Sequence, residues 1–391
     1  MANVAVAADI VELDYEDLKN GVDLSDLVQK AFGVDGTGLL TVKNVPHYVQ
    51  ARKRLLPLSR TFATFPDSVK EKYVHAESYY SFGWSHGKEK LQGKPDLSKG
   101  SFYANPQYDK PIDDEAIIAQ HPSFVHPNIW PEEDLPELSV AFKELGQIIV
   151  AVGELVARQC DNFVHAKVPS YPDSMLESII RKSLCCKARL LHYFPLAPEG
   201  SGSESGAGAG AGAGTGAEAG TGFGDSTPSD SEFSSWCGWH NDHGSLTGLT
   251  SAMYLDADGG EVQNSDASSG LYIRNRKSEL IQVGIPAANI AFQIGETAQV
   301  HSGGLLQATP HAVRGSKMAG VSRETFAVFM EPGWEEPMTV PTGADPAQAQ
   351  SQSAASNLPA GVPPLGSRWV GADATPQSFG EFSEATHKAY Y

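Results

Sequence analysis

The feature that most limits the possible folds is a succession of short apolar segments between residues 246 and 330. These segments are rich in β-branched and aromatic residues, and Gly-, Pro- or Asn-containing turns separate them. Short strands spaced in this way are typical of a sandwich or barrel, including the double-sheet jelly roll. The predicted strands, with no helix between them, are Leu246 to Leu255, Gly270 to Asn275, Ile281 to Val283, Ile290 to Ile294, Thr297 to His301, His311 to Val313 and Thr325 to Met330.

The flanking sequence predicts a mainly β fold with flanking helices. We expect an N-terminal α/β and helical support region over residues 1–184, a jelly-roll core over 185–335, and a polar tail with a C-terminal helix over 336–391. Apolar residues at steps of three and four predict a long amphipathic helix from about Glu133 to Asn162. The C-terminal helix is predicted over Phe379 to Tyr391, with aromatic residues that can pack on the body.

A low-complexity segment interrupts the predicted core between residues 199 and 232. It consists mostly of Gly, Ala, Ser and Thr, and Gly alternates with Ala from Gly206 to Gly214. Such a composition cannot bury enough apolar surface to offset the entropy lost on ordering. Strand-like sequence flanks the segment on both sides, so we predict a disordered insertion in one domain rather than a linker. Two roles are open for this insertion: it covers a site as a lid, or it is a surface insertion without a function.

The composition argues against several classes of partner. The net charge is −18, which would repel nucleic acids and anionic membranes. The chain has no run of 18 apolar residues, and residues 1–8 lack the basic region of a signal peptide. Its four cysteines in 391 residues do not suggest a disulfide framework. We therefore expect a cytoplasmic protein with reduced thiols that binds neither nucleic acid nor a membrane surface. The sequence does not indicate its oligomeric state.

Ionisable side chains are concentrated in the segment His240-Asn241-Asp242-His243, which follows the insertion. If this segment is extended, His240 and Asp242 project to the same side because residues two apart share a face. A histidine and a carboxylate are two members of the 2-His-1-carboxylate set that non-haem Fe(II) oxygenases use. His311, at the start of a later apolar strand, is the preferred third ligand. His301 and His243 are the competing candidates.

Two further groups of residues are candidates for binding small molecules. Arg323 and Thr325 share one face of the last strand, and together they offer the donors that a carboxylate requires. An exposed strand end is the alternative for this pair. The aperiodic segment 79–106 mixes aromatic and polar residues and can form a pocket wall or a packed surface loop. Its candidate substrate-binding residues are Trp84, Phe102 and Tyr103.

This ordered set of motifs resembles the isopenicillin N synthase-like group of Fe(II)/2-oxoglutarate-dependent dioxygenases. The family pattern of His-x-Asp, a later His and Arg-x-Ser is matched in order, and nearby family positions also fit. The matching residues are His240, Asp242, His311, Arg323 and Thr325, with Gly244, Thr247 and Ile294-Gly295-Glu296. The chain departs from the family pattern at four places. Thr325 replaces the serine, and His192 stands where an asparagine is frequent. Phe194 stands where the family often has a tyrosine, with Tyr193 one position earlier, and His301-Ser302-Gly303-Gly304 replaces Trp-Ser-Asn-Gly.

The resemblance implies a double-stranded β-helix, the jelly roll, with Fe(II) held by His240, Asp242 and His311. It also implies that Arg323 and Thr325 hold the far carboxylate of the co-substrate 2-oxoglutarate. Oxidative decarboxylation with O2 would then be coupled to hydroxylation, desaturation or ring closure of a small organic substrate. The sequence indicates neither the substrate nor which of these outcomes applies.

Two rival functions stay open. One is a zinc-dependent hydrolase on the same three ligands. The other is a catalytically silent jelly-roll protein that binds a small molecule or a protein through residues 79–106. For Cys237 the two alternatives are an additional soft ligand for zinc and a small apolar filler, and the filler is preferred.

Overall fold

The structure, a computed structural model, describes residues 6–7, 10–88, 90–91, 94–195, 237–351, 358–359, 361–369 and 376–390. The insertion predicted over 199–232 lies outside these residues. The strands are β1 Val6–Ala7, β2 Val11–Asp14, β3 Leu39–Lys43, β4 Gly83–His86, β5 Lys90–Leu91, β6 Lys94–Pro95, β7 Lys99–Ala104, β8 Lys187–Tyr193, β9 Cys237–His240, β10 Leu246–Thr250, β11 Met253–Leu255, β12 Glu261–Val262, β13 Gly270–Arg274, β14 Leu280–Val283, β15 Ile290–Ile294, β16 His311–Arg314 and β17 Ser322–Met330. The helices are α1 Tyr15–Lys19, α2 Ser25–Phe32, α3 Tyr48–Ala63, α4 Asp67–Lys70, α5 Glu115–Gln120, α6 Pro122–Val125, α7 Glu137–Lys167, α8 Met175–Lys182, α9 Glu296–His301, α10 Pro346–Ser351 and α11 Phe379–Tyr390.

Two sheets contain most of these strands. The larger sheet has the order β2-β3-β15-β10-β17-β8-β7-β4, with β11 and β12 attached beside β17, and the smaller has the order β1-β14-β13-β16-β9. An apolar layer joins the two sheets, with Leu191 from β8, Ile273 from β13 and Val313 from β16 among its members. Side chains alternate between the faces of a strand, so each strand of the larger sheet also presents residues to the helices outside.

Helix α7 covers the outer face of the larger sheet. It is the long amphipathic helix predicted from the sequence, although it begins and ends a few residues later than expected. Its apolar side joins the main core through Ile149, Val152 and Val156, which are fully or almost fully buried. A Cβ atom at Gly248 of β10 would lie 2.2 Å from the Ile149 side chain. Only glycine at that position lets helix and sheet approach this closely.

The structure corrects two expectations about secondary structure. Residues 297–301, predicted as a strand, belong to helix α9. All six residues of α9 are buried, so no polar side marks the helical period in the sequence. The segment 79–106, predicted as an aperiodic loop, contributes β4 and β7 to the larger sheet. That sheet therefore crosses the boundary predicted at residue 184, and the division of the chain into three regions stays a prediction.

The C-terminal region packs back on the body, as its aromatic residues suggested. Trp369, Phe379 and Phe382 are almost completely buried and form a cluster with Val300 of α9. Among the described residues, no helix combines the length and the apolar character that crossing a membrane requires.

Candidate active site

Three side chains with metal-binding atoms meet at one end of the smaller sheet. Strand β9 pairs with β16 so that His240 lies directly opposite His311, and the centroids of the two imidazole rings are 4.2 Å apart. The Asp242 Oδ1 atom lies 3.9 Å from His240 Nε2 and 3.8 Å from His311 Nε2. One ligand atom from each residue therefore faces a common point, as a three-ligand metal site requires.

Asp242 lies beyond the end of β9, so its position does not depend on strand alternation. The backbone N–H of Glu296, at the start of α9, donates to the Asp242 carbonyl at 2.8 Å. The Thr297 hydroxyl donates to the His243 carbonyl at 2.6 Å. A Cβ atom at Gly295 would lie 2.0 Å from the Gly244 carbonyl oxygen. Because only glycine fits there, the turn after β15 can hold the ligand-bearing loop in place.

Backbone contacts orient both imidazole rings. The Nδ1 atom of His240 lies 2.9 Å from the Gly238 carbonyl, and that of His311 lies 3.2 Å from the Thr309 carbonyl. A carbonyl only accepts, so each Nδ1 carries a proton and each Nε2 points towards Asp242. Such outer contacts set the tautomer of metal-binding histidines.

Burial and the neighbouring charges act in opposite directions on these histidines. Burial, reinforced by the adjacent His240, lowers the pKa of His311 to about 4, so this imidazole is neutral. Burial acts in the same direction on His240, but Cys237 and Asp242 outweigh it and raise the pKa of His240 to about 9. A cation that binds His240 at neutral pH must therefore displace a proton.

The donor set fits a divalent metal ion. Asp242 Oδ2 is buried, and no described residue hydrogen-bonds to it. A buried carboxylate oxygen without a partner is costly, and a bound cation would remove that cost. Two imidazole nitrogens and one carboxylate leave coordination positions open, which is the arrangement of non-haem Fe(II) oxygenases and also suits zinc.

The metal-binding side chains open into a cavity of about 430 Å³ between the two sheets, within the range typical of small-molecule sites. Apolar side chains form much of its wall, and Asp242 is the sole acidic residue among the described lining residues. Thr247, one of the matching family positions, also lies in the wall. The wall includes Leu191, Thr247, Leu249, Leu271, Val283, Ile285, Val313, Ala327 and Phe329.

Arg323 and Thr325 both face this cavity from β17, as their alternation predicted. The Arg323 guanidinium lies 4.8 Å from the centroid of the Tyr193 ring, and the two residues are direct neighbours across β17 and β8. Tyr193, rather than Phe194, is therefore the aromatic residue of this strand that lines the cavity. His192 projects to the other face, where its Nδ1 atom lies 3.0 Å from Glu324.

The structure does not place Trp84 and Phe102 in the cavity. These residues are direct neighbours on β4 and β7, and both rings pack on Phe62 of α3 in the main core. The prediction that they bind substrate is corrected here, because on these strands the even-numbered positions face the helices. Tyr103 lies on the opposite face and contacts the cavity-lining Arg189, with 5.1 Å between the guanidinium and the ring centroid.

The two competing histidines have other partners. His301 is buried in α9, and its Nε2 atom lies 2.9 Å from the Pro337 carbonyl. His243 points away from the cavity, with its Nε2 atom 3.1 Å from the Ser383 hydroxyl and its ring stacked on Phe379. Neither histidine belongs to the group of residues that meets at Asp242.

Sequence reasoning missed two features of the site. Arg368 forms a buried bidentate ion pair with Glu296 at 2.7 and 2.6 Å, and Asn241 donates to the same carboxylate at 3.1 Å. This contact ties the C-terminal region to the loop that carries Asp242. Arg189 is the second missed feature, because a lone arginine in a strand gave no signal in the sequence.

No family model and no curated protein sequence matches the chain, but its fold matches solved structures. One is described as a 2OG-Fe(II) oxygenase family protein from Caulobacter crescentus, with a TM-score of 0.64 and 14% identity over 98% of this chain and 99% of that chain. A full-length protein of Neurospora crassa, solved in complex with α-ketoglutarate (2-oxoglutarate) and 5-formyluracil, gives 0.62 and 17% over 100% and 99%. AtDAO1, a dioxygenase for auxin oxidation from Arabidopsis thaliana in complex with 2-oxoglutarate, gives 0.54 and 13% over 90% and 100%. These matches show a shared fold and confirm the predicted jelly-roll core.

Proposed function

We propose that the protein is a non-haem Fe(II) oxygenase that couples oxidative decarboxylation of 2-oxoglutarate to oxidation of a small organic molecule. The observation that supports this most directly is the meeting of His240, Asp242 and His311 in a cavity that also contains Arg323 and Thr325. The shared fold with 2-oxoglutarate-bound structures supports it too. Within these oxygenases, the ordered motifs favour the isopenicillin N synthase-like group.

In this proposal His240, Asp242 and His311 would hold Fe(II). The bound iron would activate O2. Arg323 and Thr325 bind the far carboxylate of 2-oxoglutarate through a charged guanidinium and a hydroxyl. Tyr193 supports the guanidinium from one side through its ring. The apolar walls exclude water and orient the substrate, which is the part that protein side chains contribute in such enzymes.

The lining of the cavity disfavours a zinc hydrolase. A hydrolytic site needs a general base in reach of the metal-bound water, and the cavity offers no described carboxylate besides Asp242. The hydrolase hypothesis also leaves the pairing of Arg323 with Thr325 unexplained. Cys237 lines the cavity, but its Sγ atom lies 3.8 Å from the Nδ1 side of His240, away from the Nε2 atom that faces Asp242.

Anaerobic titration with Fe(II) and 2-oxoglutarate tests this function. We expect a weak visible metal-to-ligand charge-transfer band that requires both components, and succinate release after O2 and a metabolite extract are added. Arg323→Gln should weaken 2-oxoglutarate binding roughly 10- to 100-fold, since a hydrogen-bonded charge pair is lost. Absence of the band, with hydrolysis supported by zinc, would favour the hydrolase. Absence of any turnover with intact ligand binding would favour the silent binding protein.

All four cysteines are free thiols: Cys160, Cys185, Cys186 and Cys237. Free thiols are usual in a reducing compartment, and this supports the cytoplasmic location that we propose. The small cavity and the net charge of −18 support a small-molecule substrate over nucleic acid or a membrane surface.

A further inference from the structure

A row of four side chains crosses the face of the larger sheet that points towards the smaller sheet. Each member lies directly opposite the next on the neighbouring strand, and the order is Leu39 on β3, Gln293 on β15, Thr247 on β10 and Phe329 on β17. Phe329 is six residues from Arg323 along β17, roughly 20 Å at about 3.3 Å per residue. The row is therefore separate from the proposed site for the far carboxylate of 2-oxoglutarate.

The two polar side chains of this row have no hydrogen-bond partner among the described residues. Gln293 is 2% exposed, and its amide nitrogen and amide oxygen are both buried without a partner. Thr247 lines the cavity and is 3% exposed, and its hydroxyl forms no hydrogen bond with a described residue. Ser245, two positions before Thr247, also has a buried hydroxyl without a partner. Because unpaired buried polar atoms are costly, such a group of them indicates a place for a ligand.

Gln159, a buried glutamine of helix α7, provides a contrast. It is completely buried, its Oε1 atom accepts from the Leu24 N–H at 3.0 Å, and its Nε2 atom donates to the Val22 carbonyl at 3.0 Å. Both ends of that carboxamide are used within the protein. In Gln293 the donor and the acceptor both remain for a ligand, and the adjacent Thr247 adds a hydroxyl at the cavity wall.

We propose that Thr247 and Gln293 determine substrate specificity by binding a neutral amide, with an apolar part of the same molecule against Phe329. A cis amide, as in a lactam, has its N–H and C=O on one edge and pairs with a carboxamide through two hydrogen bonds. None of the four residues of the row is charged, so an uncharged group suits it better than a carboxylate. This inference rests on the proposed function for the identity of the site, but binding measurements test it separately.

The test compares lactams with lactones of nearly the same shape. Protein loaded anaerobically with Fe(II) and saturating 2-oxoglutarate is titrated calorimetrically with dihydrocarbostyril and ε-caprolactam, and with their lactones dihydrocoumarin and ε-caprolactone. We expect at least one lactam to bind about tenfold or more tightly than its lactone. A lactone lacks the N–H donor and leaves the Gln293 amide oxygen unpaired in the complex.

Variants of the two polar residues separate binding from a structural role. Gln293→Leu should reduce the lactam-to-lactone ratio to about 1 without lowering the melting temperature, because it removes buried polar atoms that have no partner. Thr247→Val should reduce the ratio severalfold, and Thr247→Ser should keep most of it. Gln159→Leu is the matched control. It should lower the melting temperature, since it breaks two hydrogen bonds, and keep the full ratio.

The outcomes that contradict the proposal are distinct. Equal binding of lactams and lactones would mean that these polar groups pair with water only, and no saturable binding of any lactam, or an unchanged ratio in folded Gln293→Leu, would also overturn it. So would a fall in melting temperature as large as that of Gln159→Leu. A loss of 2-oxoglutarate affinity in Gln293→Leu would assign this residue to the co-substrate instead. Failure of the unaltered protein to bind 2-oxoglutarate would count against the proposed function, and the lactam-to-lactone ratio can still be measured.

Discussion

Two buried carboxylates on opposite sides of the larger sheet differ in how they are satisfied. Glu324, on the helix-facing side, is completely buried and accepts hydrogen bonds from the Ser322 and Ser59 hydroxyls, while His192 Nδ1 lies 3.0 Å away. Asp242, on the cavity side, is 8% exposed, and its Oδ2 atom has no partner among the described residues. Hydrogen bonds from the protein therefore satisfy Glu324, whereas Asp242 keeps an oxygen atom that a bound cation can satisfy.

Other polar groups of the scaffold and of the cavity differ in the same way. On the scaffold side, Glu296 is satisfied by Arg368 and Asn241. On the cavity side, ligand atoms of His240 and His311 converge on Asp242 without a direct hydrogen bond to it. Substitutions in the scaffold should therefore lower stability, and substitutions in the cavity should lower ligand binding. The following predictions test that division.

The largest effect is expected for Asp242→Asn and Asp242→Ala. Both should abolish Fe(II) binding and 2-oxoglutarate turnover, because the carboxylate ligand is lost. The melting temperature of the metal-free protein should change little in Asp242→Asn, since the cost of the buried Oδ2 atom without a hydrogen bond is reduced while the attraction to His240 is lost. Metal analysis, succinate release and thermal unfolding measure these outcomes. Full 2-oxoglutarate consumption, or a large loss of stability without metal, would contradict the division between the two regions.

Glu324→Ala should have the opposite pattern. It removes the acceptor for two serine hydroxyls and the partner of His192, all in the core, and should lower the free energy of unfolding by about 3 kcal/mol. Fe(II) and 2-oxoglutarate affinity should change little in the protein that stays folded. Urea unfolding measures the loss, and Glu335→Ala, at an exposed carboxylate, should cost less than about 0.5 kcal/mol. A stable Glu324→Ala variant with weak iron binding would disprove the assignment.

The sequence was most informative about strands and helices that have one polar and one apolar face, because there the alternation or the helical period shows which side chains point the same way. Arg323 and Thr325 face the cavity because they share a parity on β17, and α7 follows its apolar stripe. The pairing of β9 with β16 agrees with the choice of His311, at the start of a strand, as the preferred third ligand. For β17 and α7 a local pattern is enough to determine which side chains point together.

The failures have physical causes that no local pattern contains. In α9 every residue is buried, so its sequence has no polar side to distinguish a helix from a strand. Trp84 and Phe102 were assigned from residue type, but the parity of β4 and β7 directs them into the core. The ion pair of Glu296 with Arg368 joins residues 72 positions apart, and only the folded chain brings them together.

His301 is a buried histidine of the scaffold, outside the metal-binding group. Burial lowers the pKa of His301 to about 4, below its value of about 6.5 in the unfolded chain. The unfolded state therefore binds more protons between pH 6.5 and 4, and stability is lost as the pH falls through that window. At pH 5 this histidine should cost about 2 kcal/mol relative to pH 7. His301→Gln should reduce the difference in unfolding free energy between pH 7 and pH 5 by that amount. An unchanged pH dependence would show that His301 does not cause it.

The smallest effect is expected at Thr325, where this chain departs from the Arg-x-Ser pattern. Thr325→Ser keeps the hydroxyl in the cavity and should change the KM for 2-oxoglutarate by less than about twofold. Thr325→Val keeps the shape and removes the hydroxyl, and should raise that KM about five- to tenfold, the value of one hydrogen bond of about 1 kcal/mol or slightly more. Both variants should unfold within about 0.5 to 1 kcal/mol of the unaltered protein. If Thr325→Val changed stability but not KM, Thr325 would belong to the scaffold despite facing the cavity.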